Sequence, residues 1–216
     1  MIKINRSIIC LIPMMFSFLL PIKVNAKSVS ILQASELRDL TRAQIISKIA
    51  PLFQRDQKES GILASVSMAQ FILESGFGKS GIAQNANNLF GMRVGRPNNS
   101  WYNASTWDKK SIYSTKTKEW SNSEFVWEPA SFRKYSSIQQ SISDHSAYLN
   151  NAKLRSGKKQ YKGLKGCKDY RRAFEIIKNG GYATDPEYVD KLCSIVEKYN
   201  LTQYDIKSPR KRPPRK

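Results

Sequence analysis

Residues 61–94, GILASVSMAQFILESGFGKSGIAQNANNLFGMRV, decide how the rest of the chain is read. Their first half predicts a helix over 62–75. Apolar residues nearly encircle it: Ile62, Leu63, Ala64, Val66, Met68, Ala69, Phe71, Ile72 and Leu73. A helix that is apolar on all sides belongs in the middle of a soluble domain. Its polar exceptions, Ser67, Gln70 and Glu74, are spaced three and four apart and therefore share one face. That face must meet a cleft or a buried polar network. The chain then turns through Ser75, Gly76, Phe77 and Gly78, as suits a helix stop. Glu74 is thus a carboxyl at the end of a mostly buried helix. Burial raises a carboxyl pKa, and a general acid working near neutral pH needs that rise. On the residues alone, a glutamate that merely hydrogen-bonds the next loop is the competing reading.

The tandem of LESGFGKS (73–80) and NNLFGMRV (87–94) resembles the glucosaminidase domain of glycoside hydrolase family 73, a group that includes domains of flagellar peptidoglycan hydrolases. TKEW (117–120), FRKYS (132–136) and YATDP (182–186) continue the likeness, which spans about 41–202. Members are peptidoglycan N-acetylglucosaminidases. The resemblance implies an α+β, mostly helical fold: a lysozyme-like helical lobe, with a small β-hairpin lobe flanking a substrate groove. It implies that Glu74 is the catalytic acid and Glu119 the second carboxylate, with Glu124 ranked behind it. It also implies that Tyr182 lines the cleft, orienting the attacked sugar or the attacking water. On the substrate side it suggests Gln70, Asn87, Asn88, Phe90, Trp120 and Glu124.

Each of these residues has a plainer reading. Asn87 and Asn88 offer donor and acceptor to N-acetyl and hydroxyl groups, but Asn is also turn chemistry. Phe90 suits the core as well as a cleft. Glu119 reads equally as a solvated hairpin charge, and Tyr182 as a ring packed over a helix start. Trp120 belongs to a stretch, 101–135, that holds all four tryptophans. Such aromatics either pack a small sheet or present flat faces to sugar rings.

The length of 216 residues fits one domain with tails. Residues 1–26 read as a signal peptide, with basic Lys3 and Arg6, an apolar run over 8–20 interrupted by Pro13, and cleavage after Ala26. The run is short of the ~20 residues needed to span a membrane, so no stable span is expected after cleavage. Residues 27–40 read as a polar lead-in, 41–203 as the glucosaminidase domain, and 204–216, ending in SPRKRPPRK, as a disordered basic tail. Net charge is +19, and removal of Lys3, Arg6 and Lys23 with the signal leaves +16. That charge implies an anionic environment. An export signal disfavours nucleic acid and favours anionic cell-wall polymers beside peptidoglycan glycan strands, in the periplasm or outside the cell; solubility is the simpler explanation of the charge. Cys10 leaves with the signal, and Cys167 and Cys193 are either a disulfide or two thiols. With one histidine and no paired CxxC, no metal or organic cofactor is expected.

Along the rest of the chain, Thr41 and Gln44 form a capping box for a helix carrying Ile45, Ile46, Ile49, Leu52 and Phe53, which Pro51 should kink or divide. Over 101–135 helical periodicity gives way to two or three short strands with a turn near 121–123. Asp108 and Glu128 are further carboxylates there. Ser137 and Gln140 open a helix to about 152, whose apolar stripe includes His145 as a hydrogen-bonded core histidine. A basic surface connection over 150–168 follows, then a helix over 170–178. Asp185 is expected to cap a last helix with Pro186 at its first position, and Tyr188, Leu192, Ile195 and Tyr199 form its stripe.

The reaction implied is hydrolysis of the β-1,4 bond after N-acetylglucosamine. The second carboxylate serves as nucleophile at ~5 Å from the acid, or activates a water at ~6.5–9.5 Å; substrate assistance by the acetamido group is a third route. The alternatives are a muramidase or lytic transglycosylase on the same scaffold, and a non-catalytic cell-wall-binding module. The flagellar relatives carry a rod-capping segment before the domain, for which this chain leaves no room, so no flagellar role is expected.

Overall fold

The computed structural model describes residues 31–95, 102, 104–121 and 124–207, with the side chains of 118–126 outside the description. The expected signal peptide and most of the expected tail lie outside the described residues.

The first helix, α1 (Arg42–Ser60), opens on the capping box: the Gln44 amide donates to the Thr41 hydroxyl, and the Thr41 amide donates to the Gln44 carboxamide. It runs as one helix through Pro51 to Gly61, whose φ of 76° ends it. Of the kink or division expected at Pro51, the division does not occur. The lost amide weakens a single turn, while Ile45, Ile46, Ile49, Ala50 and Phe53 are buried on either side of it.

The central helix α2 (Ala64–Ser75) is buried from Ala64 to Ile72. Its N-cap is Leu63, which has no capping side chain. Remote groups supply what Leu63 cannot: the Gln57 carboxamide accepts from the Ala64 amide, and the Asp205 carboxylate accepts from the Ser65 amide and hydroxyl. At its other end Gly76, Phe77 and Gly78 take φ of 56°, 64° and 75°, three left-handed residues in a row. A Cβ on Gly78 would lie 2.9 Å from Leu37 Cδ1 and 3.3 Å from the Phe71 ring. The second glycine of the motif is therefore demanded by packing as well as by turn geometry.

Leu37 belongs to the stretch expected to be a polar lead-in. Leu32, Ala34 and Leu37 are all core residues, the last two in a short 3₁₀ turn over Ala34–Leu37. Ile31 and Leu40 beside them obscure any period, yet the three join the same core as α2. At the other end, the turn Leu201–Tyr204 and the residues after it are also fastened: Gln54 donates to the Tyr204 carbonyl and Gln57 to that of Ile206. The expected tail is bound to the domain through its first residues.

After α3 (Gly81–Ala86), β1 (Ile112–Ser121) and β2 (Glu124–Arg133) form one antiparallel hairpin, Ile112 opposite Arg133 and Ser121 opposite Glu124. Two ten-residue strands replace the two or three short ones expected. One face carries the buried Ala130 and Phe132, while Trp127, on the other, is 65% exposed.

The hairpin's root is fixed by Asp144 on α4 (Ile138–Asn151). Its carboxylate accepts from Arg133 Nη1, the Tyr135 and Ser105 hydroxyls, and the amides of Thr106 and Trp107. Burial alone would raise the Asp144 pKa, but the Arg133 charge and the hydrogen bonds overcome it and hold it below the ordinary value. Trp107 is buried beside this pair, with the Arg133 guanidinium 5.6 Å from its ring centre.

The Ser137 hydroxyl caps α4 as expected, accepting from the Gln140 amide, but the Gln140 side chain closes on the Ser136 amide rather than on that of Ser137. The 150–168 connection is pinned by buried Tyr161 and Leu164. Asp169 caps α5 (Tyr170–Asn179). The last helix, α6 (Tyr188–Lys198), starts two residues later than expected, because Asp185 and Pro186 form a preceding turn in which Asp185 accepts from the Glu187 and Tyr188 amides. Cys167 and Cys193 are free thiols; Cys167 donates to the Asp169 carbonyl. The fold is mostly helical, with one two-stranded antiparallel sheet among the described residues. No helix among those residues is long and apolar enough to cross a membrane.

Candidate active site

Glu74 sits in the last turn of α2 and opens into a cleft of about 840 Å³. Phe90, Tyr148, Tyr182 and Tyr188 wall it, and Arg93, Asp185 and Lys191 stand around it. Arg93 also bridges to Phe132 of β2, so the hairpin root adjoins the cleft.

The polar face read along α2 builds a directed chain. Gln70 Nε2 donates to the Tyr188 hydroxyl at 3.1 Å, and that hydroxyl donates to Glu74 Oε1 at 3.1 Å. Gln70 is fully buried behind Tyr188, not exposed in the cleft. The Glu74 side chain reaches solvent through the cleft, but protein crowds its carboxyl and strips water from it. That desolvation raises its pKa above the ordinary carboxylate value, against the opposing pull of the Tyr188 hydrogen bond. The C-terminal end of a helix, where partial negative charge collects, disfavours the anion further. A carboxyl that holds its proton more tightly than usual and faces an open cleft suits a general acid.

Tyr182 lies across the cleft wall, its hydroxyl 3.1 Å from His145 Nε2. His145 is fully buried and stacks flat on Phe90, ring centres 3.8 Å apart at 4°. Burial pushes its pKa down to about 3 against the opposing charge of Asp144, so the ring is neutral. Nearby, the Tyr148 and Tyr161 hydroxyls pair at 2.7 Å.

The structure therefore brings Glu74, Phe90 and Tyr182 to one cleft, with Gln70 one residue behind. Asn87 and Asn88 are elsewhere. Asn87 ends α3 with φ 52°, accepts from the Ala34 amide and donates to Gln33 and the Tyr135 carbonyl. Asn88 is fully buried, donates to the carbonyls of Met92 and Arg133, and accepts from the Met92 amide. Both amides hold the loop that carries Phe90. The side chains of Glu119, Trp120 and Glu124 lie outside the described residues. By register they occupy the far end of the hairpin, Glu119 opposite Val126 and Trp120 opposite Phe125. Asp108 is an exposed turn cap accepting from Lys110 and Ser111, and Glu128 is exposed.

Sequence reasoning missed Tyr188 as a partner of the acid. It was read only as part of an apolar stripe, although a buried phenol needs a partner for its hydroxyl. Tyr148, Arg93 and Lys191 carried no signal.

A helical lobe with a hairpin beside its cleft, and a glutamate in that cleft, is a lysozyme-like arrangement. The glucosaminidase family model, described as mannosyl-glycoprotein endo-beta-N-acetylglucosaminidase, matches residues 50–201, and the chain belongs to this family. It is 37% identical to the exo-glucosaminidase LytG of Bacillus subtilis over 148 residues, 68% of this chain and 48% of that one. It is 32% identical to the peptidoglycan hydrolase FlgJ of Pseudomonas aeruginosa over 165 residues, 74% of this chain and 37% of that one. The catalytic domain of the autolysin Auto from Listeria monocytogenes superposes with a TM-score of 0.63 at 32% identity, over 76% of this chain and 86% of that domain. A glycoside hydrolase domain of Salmonella typhimurium FlgJ gives 0.55 at 25% identity, over 73% and 96%. The chain spans about half or less of the length of these curated relatives.

Proposed function

We propose that the chain is a peptidoglycan hydrolase that cleaves the β-1,4 bond after N-acetylglucosamine, with Glu74 as its acid. The observation that carries this reading is the Glu74 carboxyl at the end of α2, accepting from the Tyr188 hydroxyl and opening into an aromatic-walled cleft. The protonated Glu74 gives its proton to the leaving glycosidic oxygen as the C–O bond breaks, and positive charge develops on the sugar ring. Glu119, or Glu124 behind it, supplies the second carboxylate, as nucleophile or as base for a water. Tyr182 orients the sugar or that water. Residues 1–26 direct export to the periplasm or beyond, and the surplus of lysine and arginine favours anionic wall polymers.

Relatives with this domain differ in the bond their names imply. One is an exo-glucosaminidase, and another, from Lactococcus lactis, is a probable N-acetylmuramidase that is 32% identical over 161 residues. A muramidase is therefore the second reading. Purified protein incubated with peptidoglycan, followed by mass spectrometry of the products, separates them. Reducing N-acetylglucosamine ends, lost in Glu74→Gln, are expected. Reducing N-acetylmuramic ends indicate a muramidase, and anhydro-muramic ends a lytic transglycosylase. Wall binding without any cleavage leaves only a binding module.

A further inference from the structure

We infer that His145 fixes the direction of the Tyr182 hydroxyl, holding it as a hydrogen-bond donor toward the cleft, and is therefore a positioning residue for the reaction. The inference rests on the reading of Tyr182 as a residue that meets substrate.

His145 is the chain's single histidine. Its Nε2 meets Tyr182 Oη, and its Nδ1 is buried with no hydrogen-bond partner among the described residues. The ring is neutral, so it carries one N–H, on one nitrogen or the other. Were the proton on Nδ1, a buried N–H would be left without an acceptor, and Tyr182 would have to donate to Nε2. With the proton on Nε2, the ring donates to Tyr182, and only a lone pair on Nδ1 goes unused. Orphaned buried donors are rarer than under-used acceptors, and an unsatisfied buried polar group costs about 1–3 kcal/mol. The Nε2–H form is therefore the one this pocket selects.

The consequence falls on Tyr182. Its oxygen accepts from His145, so its own proton is not used in that contact. The contact with His145 is the one hydrogen bond shown for the Tyr182 hydroxyl among the described residues. Burial also keeps the phenol protonated, its pKa well above the ordinary value. The O–H is thus not spent on His145, and the Tyr182 residue lines the cleft in which a sugar hydroxyl, an acetamido carbonyl or a water would accept it. The opposite tautomer would turn the same hydroxyl away, toward the histidine. The stacking on Phe90 locks the imidazole plane, and with it the line from Nε2 to Oη.

The first test reads the tautomer directly. In the ¹⁵N-labelled protein, prepared without a polyhistidine tag, long-range ¹H–¹⁵N spectra contain one imidazole. The expected result is a protonated Nε2 and an unprotonated Nδ1, unchanged from pH 8 to pH 5. A protonated Nδ1, or a ring that gains a second proton in that range, overturns the inference. The second test is kinetic, on peptidoglycan, with folding checked by thermal unfolding. His145→Phe keeps a flat ring without a donor and should lower kcat by roughly tenfold, the equivalent of ~1.4 kcal/mol. His145→Gln retains an N–H near the Nε2 position and should recover most of the loss. In a Tyr182→Phe background, His145→Phe should add no further loss. Equal losses for His145→Phe and His145→Gln, with or without the tyrosine hydroxyl, would assign His145 to packing alone and overturn the inference. If Tyr182→Phe by itself leaves kcat unchanged, the reading of Tyr182 as a substrate-facing residue fails, and the role of His145 in the reaction fails with it. The tautomer spectrum still decides the hydroxyl's direction.

Discussion

Asp56 lies on α1 against α4, buried, and its carboxylate accepts from the Ser146 hydroxyl at 2.6 Å and the Ser60 hydroxyl at 3.2 Å. Burial raises its pKa from the ordinary 3.8 to about 6, although both serines pull the other way. A folded-state pKa above the unfolded one means that the folded chain binds the proton more tightly. The stability that Asp56 contributes is therefore full below about pH 4 and is lost as pH rises through about 6. At about 1.36 kcal/mol for each pH unit of displacement, holding the anion at neutral pH costs on the order of 3 kcal/mol. Asp56→Asn removes the ionisation and keeps an oxygen for both serines. Urea unfolding of the two proteins at pH 4, 5, 6, 7 and 8 measures the difference. Any mismatch of the new amide N–H₂ shifts that difference equally at every pH, and the other titrating groups are common to both chains. The advantage of Asp56→Asn over wild type should grow by about 2.5 kcal/mol between pH 4 and pH 8. A difference that stays flat with pH, or that shrinks as pH rises, refutes the assignment of a buried, reluctantly ionised carboxyl at this site.

Glu74→Gln should lower kcat on peptidoglycan by roughly 10²–10⁴-fold while leaving the thermal unfolding midpoint near that of wild type. Tyr188→Phe removes the hydrogen bond that favours the Glu74 anion; the acid's pKa should rise further, and the alkaline limb of the kcat–pH profile should move to higher pH. Gly78→Ala places a methyl against Leu37 at a φ of 75° and should destabilise by about 1–3 kcal/mol or more in urea unfolding. Asp144→Ala leaves the buried Arg133 charge without its carboxylate, with an expected loss of about 3–5 kcal/mol in the same assay.

What the sequence discloses depends on where a residue's partners lie. The central helix was legible because its apolar residues leave a single polar face, and Glu74 is the member of that face nearest the turn. The Thr41 box closes within four residues, so local spacing found it. Leu32, Ala34 and Leu37 hid because their partners are tens of residues away and the exposed Ile31 beside them breaks any period. Asn88 looked like a sugar ligand because an exposed and a buried asparagine are spelled alike; its acceptors, the carbonyls of Met92 and Arg133, meet only in three dimensions. Pro51 left open a kink or a division, and the helix is not divided, with buried residues on either side of the proline. Asp185 and Pro186 gave the right elements in the right order but misplaced the first turn of α6, because the same side chain can cap a helix or a preceding turn. For the cysteines the spacing left a disulfide and two thiols equally open, since pairing depends on where the two side chains meet in space; both are thiols.

The Asp144 carboxylate has a consequence for how the chain comes apart. It gathers donors from 105–107, from the end of β2 and from Tyr135, stretches up to 39 residues from it in sequence. None of these contacts can form until α4 is in place, and removing any one segment exposes the same buried charge to loss. The hairpin root, the 105–107 loop and the first half of α4 therefore open as one cooperative unit rather than by fraying one after another. In native-state hydrogen exchange the amides of Trp107, Arg133 and Asp144 should share a single opening free energy, well above that of the hairpin's distal end.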